Sequence, residues 1–196
     1  MMIPICVARA VSVGEFIAWA KTRGSQLNMA FAGVGSTSHF SGAAFMMAAN
    51  LQSTPVPYKG GGPSVAAVVA GEAHWSLTPA AAVMSLVKAG RLRALAHSFP
   101  KRVRIFGDLP AIAETLPGFE NVAETGLIAP RGTPKPILDK LHRTLVKVIS
   151  APDIETLFAD QGCVAMTSTP EEFRKITQQQ MARAKEIIRV IGLKVE

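Results

Sequence analysis

Cysteine is scarce in this chain: Cys6 and Cys163 stand far apart and form no Cys-x-x-Cys spacing. That spacing excludes a disulfide framework and provides no zinc motif. The four histidines, His39, His74, His97 and His142, include no His-x-x-x-His pair, so no metal site and no cofactor is expected. No apolar run approaches the roughly 18 residues a membrane-spanning helix needs. The stretch from Met1 to Val11 is apolar, but Arg9 interrupts it and no small-residue cleavage site follows, so it does not read as a signal peptide. Aromatic residues make up only 6% of the chain. Acidic residues are outnumbered, leaving a formal net charge of +7, yet the bases are scattered. The densest group, Arg91, Arg93, Lys101, Arg102 and Arg104, is not matched by a set of aromatic stacking residues. No nucleic-acid partner is therefore expected, and a solvated basic face, or mild steering of an anion, accounts for the charge. Three motifs are also missing: the phosphate-binding Gly-x-x-x-x-Gly-Lys-[Ser/Thr], the dinucleotide Gly-x-Gly-x-x-Gly (Ser38 stands at its third glycine) and the hydrolase Gly-x-Ser-x-Gly.

What remains is a chain of 196 residues, 48% apolar and 18% charged, long enough for one good core or two small lobes. Alanine runs such as Ala80-Ala81-Ala82 suit close packing of helices on a sheet.

Local signals give an order of elements. Ser12-Val13-Gly14-Glu15 has capping-box spacing and predicts a helix that runs to about Arg23 and stops at Gly24. Leu27 to Ala32 reads as a strand, 36–50 as a helix, and Thr54 to Tyr58 as an edge strand because of Pro55 and Pro57. A loop at 59–63, a helix to Gly71 and a buried strand from Ala73 to Leu77 follow. Thr78-Pro79 has the form of a helix start, and Leu92 to Ala96 reads as a strand. Asp108-Leu109-Pro110 leads from an irregular stretch into a short helix. Strands are expected at Val122–Ala129 and Val164–Met166, and helices at 134–150 and 152–161. A last helix is opened by Thr169-Pro170-Glu171-Glu172, its buried stripe marked by Phe173, Ile176, Ala184, Ile187 and Ile191. Strand and helix alternate with short connections, the signature of a parallel α/β sheet that binds ligands at the carboxyl ends of its strands.

Three loops converge at such an end: 33–39, 58–62 and 78–79. The first, Gly33-Val34-Gly35-Ser36-Thr37-Ser38-His39, joins a strand to a helix. Its glycines let backbone approach a ligand, and the helix start offers N–H groups and a positive dipole end, so a carboxylate or phosphate is the natural guest. Two other readings stay open. The glycines can simply form a turn that Ser36 caps. Alternatively, Ser36 or Ser38 with His39 or His74 could serve an enzyme acting on an anion. No third orienting carboxylate lies in these loops, since Glu72 precedes a strand and Asp108 falls in the irregular stretch.

Four segments occur in a familiar order: Gly33 to His39, Val56-Pro-Tyr-Lys-Gly-Gly61, Lys88-Ala-Gly-Arg-Leu-Arg-Ala-Leu-Ala96 and Leu127-Ile-Ala-Pro-Arg-Gly-Thr-Pro134. Between them lie Asp108-Leu-Pro-Ala-Ile-Ala-Glu114 and Leu116-Pro-Gly-Phe-Glu120. The set resembles the periplasmic solute-binding receptors of tripartite tricarboxylate transporters, the Bug or TctC family, from about Val11 to Glu196.

The resemblance implies a periplasmic-binding-protein-like α/β clamshell that captures a small carboxylate, passes it to membrane permease subunits and catalyses nothing. It implies that Gly33, Val34, Gly35, Ser36, Thr37, Ser38 and His39 hold the carboxylate, flanked by Tyr58, Lys59, Gly60, Thr78 and Pro79. Many relatives carry Asp where this chain has Thr78, so plain carboxylates or neutral aromatic acids are favoured over amino acids. It also implies that residues 1–24 are a remnant of a first lobe and its crossover helix, 25–125 a complete second lobe with a parallel or mixed sheet, and 126–196 the return to an incomplete first lobe. That incomplete lobe would expose apolar surface and favour self-association. A degraded copy that binds nothing is the remaining alternative.

Overall fold

The computed structural model describes residues 2–6 and 10–193. Met1, Arg9 and Glu196, which enter the N-terminal reading and the extent of the resemblance, lie outside the described residues.

Five strands form one sheet: β1 (Met2–Cys6), β2 (Asn28–Phe31), β3 (Thr54–Pro57), β4 (Trp75–Pro79) and β5 (Arg93–Ala94), in the order β3-β2-β4-β1-β5. β2 runs parallel to β3 and β4, because each is reached through a helical crossover. β1 runs antiparallel to both β4 and β5, so the sheet is mixed. Pro55 and Pro57 sit on β3, the edge strand, where a missing N–H is tolerated.

β1 draws the start of the chain into this sheet. Met2-Ile3-Pro4-Ile5-Cys6 is wholly buried and lies inside the sheet of the 25–125 segment. Its side chains alternate between two cores, as a strand's period of two requires. Met2 and Cys6 join Phe16, Phe45, Trp75 and Leu77 under α1 (Val13–Arg23) and α2 (Thr37–Ala49). Ile3 and Ile5 join Ala30, Val65 and Val68 under α3 (Gly61–Ala70) and the short α4 (Met84–Lys88). The result is a three-layer α/β/α lobe.

Helix boundaries follow capping chemistry with small departures. Ser12 Oγ accepts from the Glu15 N–H at 3.2 Å, but the Glu15 carboxylate accepts from the N–H of Val11, one residue upstream of the expected partner. α3 opens at Gly61, two residues earlier than expected, with Pro63 inside its first turn. Thr78 and Pro79 do not start a helix. They remain in β4, paired with Ile3 and Met2, and a single 3₁₀ turn at Ala80–Ala82 follows before α4.

The chain then leaves the sheet. Val122–Ala129 and Val164–Met166 belong to no strand of the sheet among the described residues. Ile128 is 89% exposed. α5 (Lys135–Ile149) and α6 (Pro152–Asp160) contain no buried residue, and α7 (Pro170–Ile191) buries only Ile187. α7 opens with the expected Thr169–Glu172 capping box and packs along α2.

Candidate functional site

The candidate site lies where β2 and β3 end side by side. Their parallel pairing runs from Asn28↔Thr54 to Phe31↔Pro57 and continues as a 2.9 Å bond from the Tyr58 N–H to the Phe31 carbonyl. Both strands therefore deliver their following loops to the same edge, and both loops open a helix. Gly42 allows α2 to lie close on β2, because a Cβ there would collide with the Met29 side chain.

The first loop turns through Gly33 (φ +107°) and Gly35 (φ +78°), values that L side chains rarely adopt. A Cβ at Gly33 would approach the Tyr58 carbonyl at 3.4 Å, whereas at Gly35 it would meet open space. The Ser36 N–H closes the turn on the Gly33 carbonyl at 3.1 Å. Ser36 caps α2 by accepting from the His39 N–H at 3.2 Å. Ser38, 2% exposed, accepts from the Ala32 N–H at 2.9 Å and tethers the helix start to the end of β2.

The two serine hydroxyls lie 3.1 Å apart. Each already accepts an amide, and one proton of the pair is spent between them. The pair can therefore offer a ligand one hydroxyl donor, from the half-buried Ser36, rather than the two that the sequence suggests.

The amides carry more. The first N–H groups of an α-helix have no intrahelical acceptor. In α2 these include Thr37 and Ser38, since the His39 and Phe40 N–H groups reach Ser36. In α3 they are Gly61 and Gly62: Pro63 has no N–H, and the Ser64 N–H reaches the Gly60 carbonyl. Two helix N-termini thus open at adjacent strand ends, and their dipoles add in favour of an anion.

Val34 is exposed at the tip of the loop and Thr37 is exposed beside it. Tyr58 is half-buried against the core under α3, Lys59 is exposed, and Gly60 adopts φ +109° as the cap residue of α3. Thr78, next to last in the adjacent β4, is only 1% exposed, while Pro79, which ends that strand, is exposed. Gly61 and Gly62 were not singled out from the sequence. Three glycines followed by proline read as a break in regular structure, although glycine at a helix start and proline in its first turn are both compatible with a helix.

The histidines separate by environment. His39 is 8% exposed, stacks on Phe31 with ring centroids 4.4 Å apart, and accepts the Gly35 N–H on Nδ1 at 3.3 Å. Burial lowers its pKa below the usual imidazole value. His74 lies at the amino end of β4, where Nδ1 accepts the Asn28 N–H and joins two strands. His142 Nε2 lies 2.9 Å from the Ser168 carbonyl, between C-terminal segments. His97 is buried beside Phe99 and Phe106, and neither ring nitrogen finds a hydrogen-bond partner. Burial lowers its pKa, and nearby Arg102 adds to the effect while Glu114 opposes it. Arg102 of the basic stretch is paired with Glu114 at 2.9 Å. That guanidinium, with the Ala111 N–H, holds the Glu114 carboxyl at a pKa of about 2. Among the described residues no three His, Cys, Asp or Glu side chains cluster as metal ligands.

Comparison with known proteins identifies the lineage. Residues 5–193 match the family described as "Tripartite tricarboxylate transporter family receptor". A protein from the tcbD-tcbE intergenic region of Pseudomonas sp. (strain P51) is 28% identical over 92% of this chain and 54% of its own length. BugT of Bordetella pertussis is 27% identical over 94% of this chain and 57% of its own length. Among solved structures, R. palustris Rpa4515 with adipate superposes with a TM-score of 0.88 at 27% identity, over 97% of this chain and 66% of that one. MatC (Rpa3494) from Rhodopseudomonas palustris with bound malate gives 0.82 at 27% identity, over 95% and 66%. The chain spans little more than half the length of these curated relatives and about two thirds of these solved chains. It belongs to the tripartite tricarboxylate transporter receptor family, and its fold is that of the periplasmic binding proteins.

Proposed function

With that family membership as premise, we propose that this chain carries the anion-holding lobe of a solute-binding receptor for a small carboxylate. The observation that carries the reading is the pair of helix N-termini, Thr37-Ser38 and Gly61-Gly62, opening beside Gly35 and Tyr58 at adjacent ends of a parallel strand pair. Relatives solved with adipate and with malate support the ligand class. Receptors of this family serve tripartite transporters, which supports periplasmic residence and delivery to membrane permease subunits. In this reading the binding lobe ends near residue 125, and residues 126–196 belong to the opposite lobe of the clamshell. An enzymatic role gains no support, because the His39 Nδ1 is engaged by the Gly35 amide and both serine oxygens already accept amides.

A carboxylate held at exposed helix ends such as Gly35 and Thr37 stays partly solvated, so each hydrogen bond contributes toward the low end of ~0.5–1.5 kcal/mol. The isolated chain should bind with a Kd on the order of millimolar, or about −4 kcal/mol. NMR titration with adipate and malate tests this. Shifts should centre on the amides of 35–39 and 61–62, vanish in Gly35→Val and weaken in Lys59→Ala. Shifts spread over the basic surface and unchanged in Gly35→Val would reduce the motif to a turn.

A further inference from the structure

We propose that His39 is the positioning residue of this site: as a neutral imidazole protonated on Nε2, it holds the Gly35 amide and so keeps the Gly33–Ser36 turn in its anion-receiving shape. The inference rests on the carboxylate-site reading above and goes beyond it by assigning a protonation state and a pH dependence.

The geometry leaves one neutral tautomer. The Gly35 N–H points at Nδ1 at 3.3 Å, so Nδ1 is an acceptor and the proton of the neutral ring sits on Nε2. The ring cannot turn away freely, since it lies at 16° to Phe31 with centroids 4.4 Å apart and also touches Phe40. The His39 backbone N–H is fixed on Ser36 Oγ. His39 thereby ties both ends of the loop, Gly35 through its ring and Ser36 through its backbone, while Ser38 ties the same turn of helix to β2. Gly35 has no side chain and φ +78°, so little else restrains its peptide.

Protonating Nδ1 would set two donors face to face and release the Gly35 amide. The surroundings favour the neutral ring. β2, the loop and α2 carry no charged side chain from Asn28 to Ala49. The neighbouring loop brings Tyr58 and Lys59. The segment before α5, bonded to α2 through Ser41 and Asn121, carries Glu120 and Glu124, and α7, packed on α2, carries Arg183 and Glu186 among its charges. Burial is the cause of the lowered pKa of His39, with no charge contribution from these groups. Because the folded-state pKa is depressed, the neutral, turn-holding form is complete above the ordinary imidazole value and is lost as pH falls through the lower one.

A direct imidazolium–carboxylate contact would act in the opposite sense and tighten binding in acid. Positioning therefore predicts that acidification weakens binding even though the protein gains positive charge.

The test uses ¹⁵N-labelled full chain, with sulfate, which does not titrate near neutral pH, and malate as probes. In the ligand-free protein, imidazole ¹⁵N shifts should report Nε2–H, and the Gly35 amide should move as His39 titrates. Sulfate affinity should fall between about two- and tenfold from pH 8 to below the His39 transition. His39→Gln, which retains an acceptor, should bind with the pH dependence removed. His39→Phe, which keeps the stack but not the acceptor, should bind between about two- and tenfold more weakly at every pH. An Nδ1–H tautomer, a Gly35 amide indifferent to the titration, tighter sulfate binding in acid, or wild-type affinity in His39→Phe would each overturn the proposal. If the ring and Gly35 behave as stated but neither probe binds at any pH, the carboxylate-site reading has failed, and the positioning role falls with it.

Discussion

β1 and α5 carry comparable apolar signals and meet opposite fates. All five residues of β1 are buried, between β4 and β5 and under helices on both faces. α5 presents Ile137, Leu138 and Leu141 at helical spacing, yet Leu141 is 50% exposed and no residue of the helix is buried. A shallow depression of about 680 Å³ between α5 and α6, lined by Arg143, Lys147, Val148 and Ile154 among others, lies on the same open side. The amphipathic pattern specifies which face of a helix will be covered. It does not supply the cover. In the sheet lobe the cover is another part of this chain; at α5 and α6 the described residues bury no side chain.

The sharpest way to break this comparison is to delete one large side chain from each region. Trp75 packs on Phe16 and Phe45, with centroids 5.6 Å away in both cases, and its Nε1–H bonds Ser53 Oγ at 3.1 Å. Trp75→Ala should cost about 3–5 kcal/mol in urea unfolding. Comparable losses for Trp75→Ala and Leu141→Ala would mean the two regions share one core after all.

A smaller effect tests the sheet lobe from within. His97 is buried with both nitrogens unpartnered, so His97→Leu should be neutral or stabilising by about 1 kcal/mol. The sign of its pH dependence follows from the depressed folded-state pKa. The wild type keeps its full stability above the ordinary value of 6.5 and loses it as pH falls toward the lower native value, because the unfolded chain takes up the proton first. Thermal melts from pH 8 to 5 should show a steeper acid loss for wild type than for His97→Leu. Parallel curves would place the acid sensitivity elsewhere.

The smallest stability effect should come from the open helices: Leu141→Ala should change unfolding by less than about 0.5 kcal/mol. Its consequence should appear in association. We propose that the exposed faces of α5 to α7 make the isolated chain self-associate, so Ile137→Lys with Leu141→Lys should lower the mass seen by light scattering at high concentration. A monodisperse monomer before substitution would refute it.

Much of this was legible in residues whose chemistry is local. Ser12, Ser36 and Thr169 cap helices as their neighbours predict, and Gly24 and Gly71 end them. The turn at 33–36 and its helix cap were legible because Gly-x-Gly followed by hydroxyls is a local signal at a strand-to-helix junction. Thr78-Pro79 misled because the helix-start signal there is local, whereas pairing with Met2 and Ile3 is not. The strands expected at 122–129 and 164–166 misled for a related reason: β propensity is local, whereas membership of a sheet is not.

By itself the sequence determined the Gly33–Ser36 turn and the helix caps, carried by residues within a few positions of one another, and the alternation that makes an α/β lobe and the family likeness, carried by the order of such local motifs along the chain. Only the tertiary structure decided that β1 enters the sheet antiparallel, that Ser36 and Ser38 spend most of their hydrogen-bonding capacity on the scaffold, that Gly61 and Gly62 bring a second helix end to the site, and that His39 holds the Gly35 amide. These depend on which partner each backbone or side-chain group meets across the fold. A hydrogen bond or a strand pairing belongs to two segments at once, and periodicity describes only one of them.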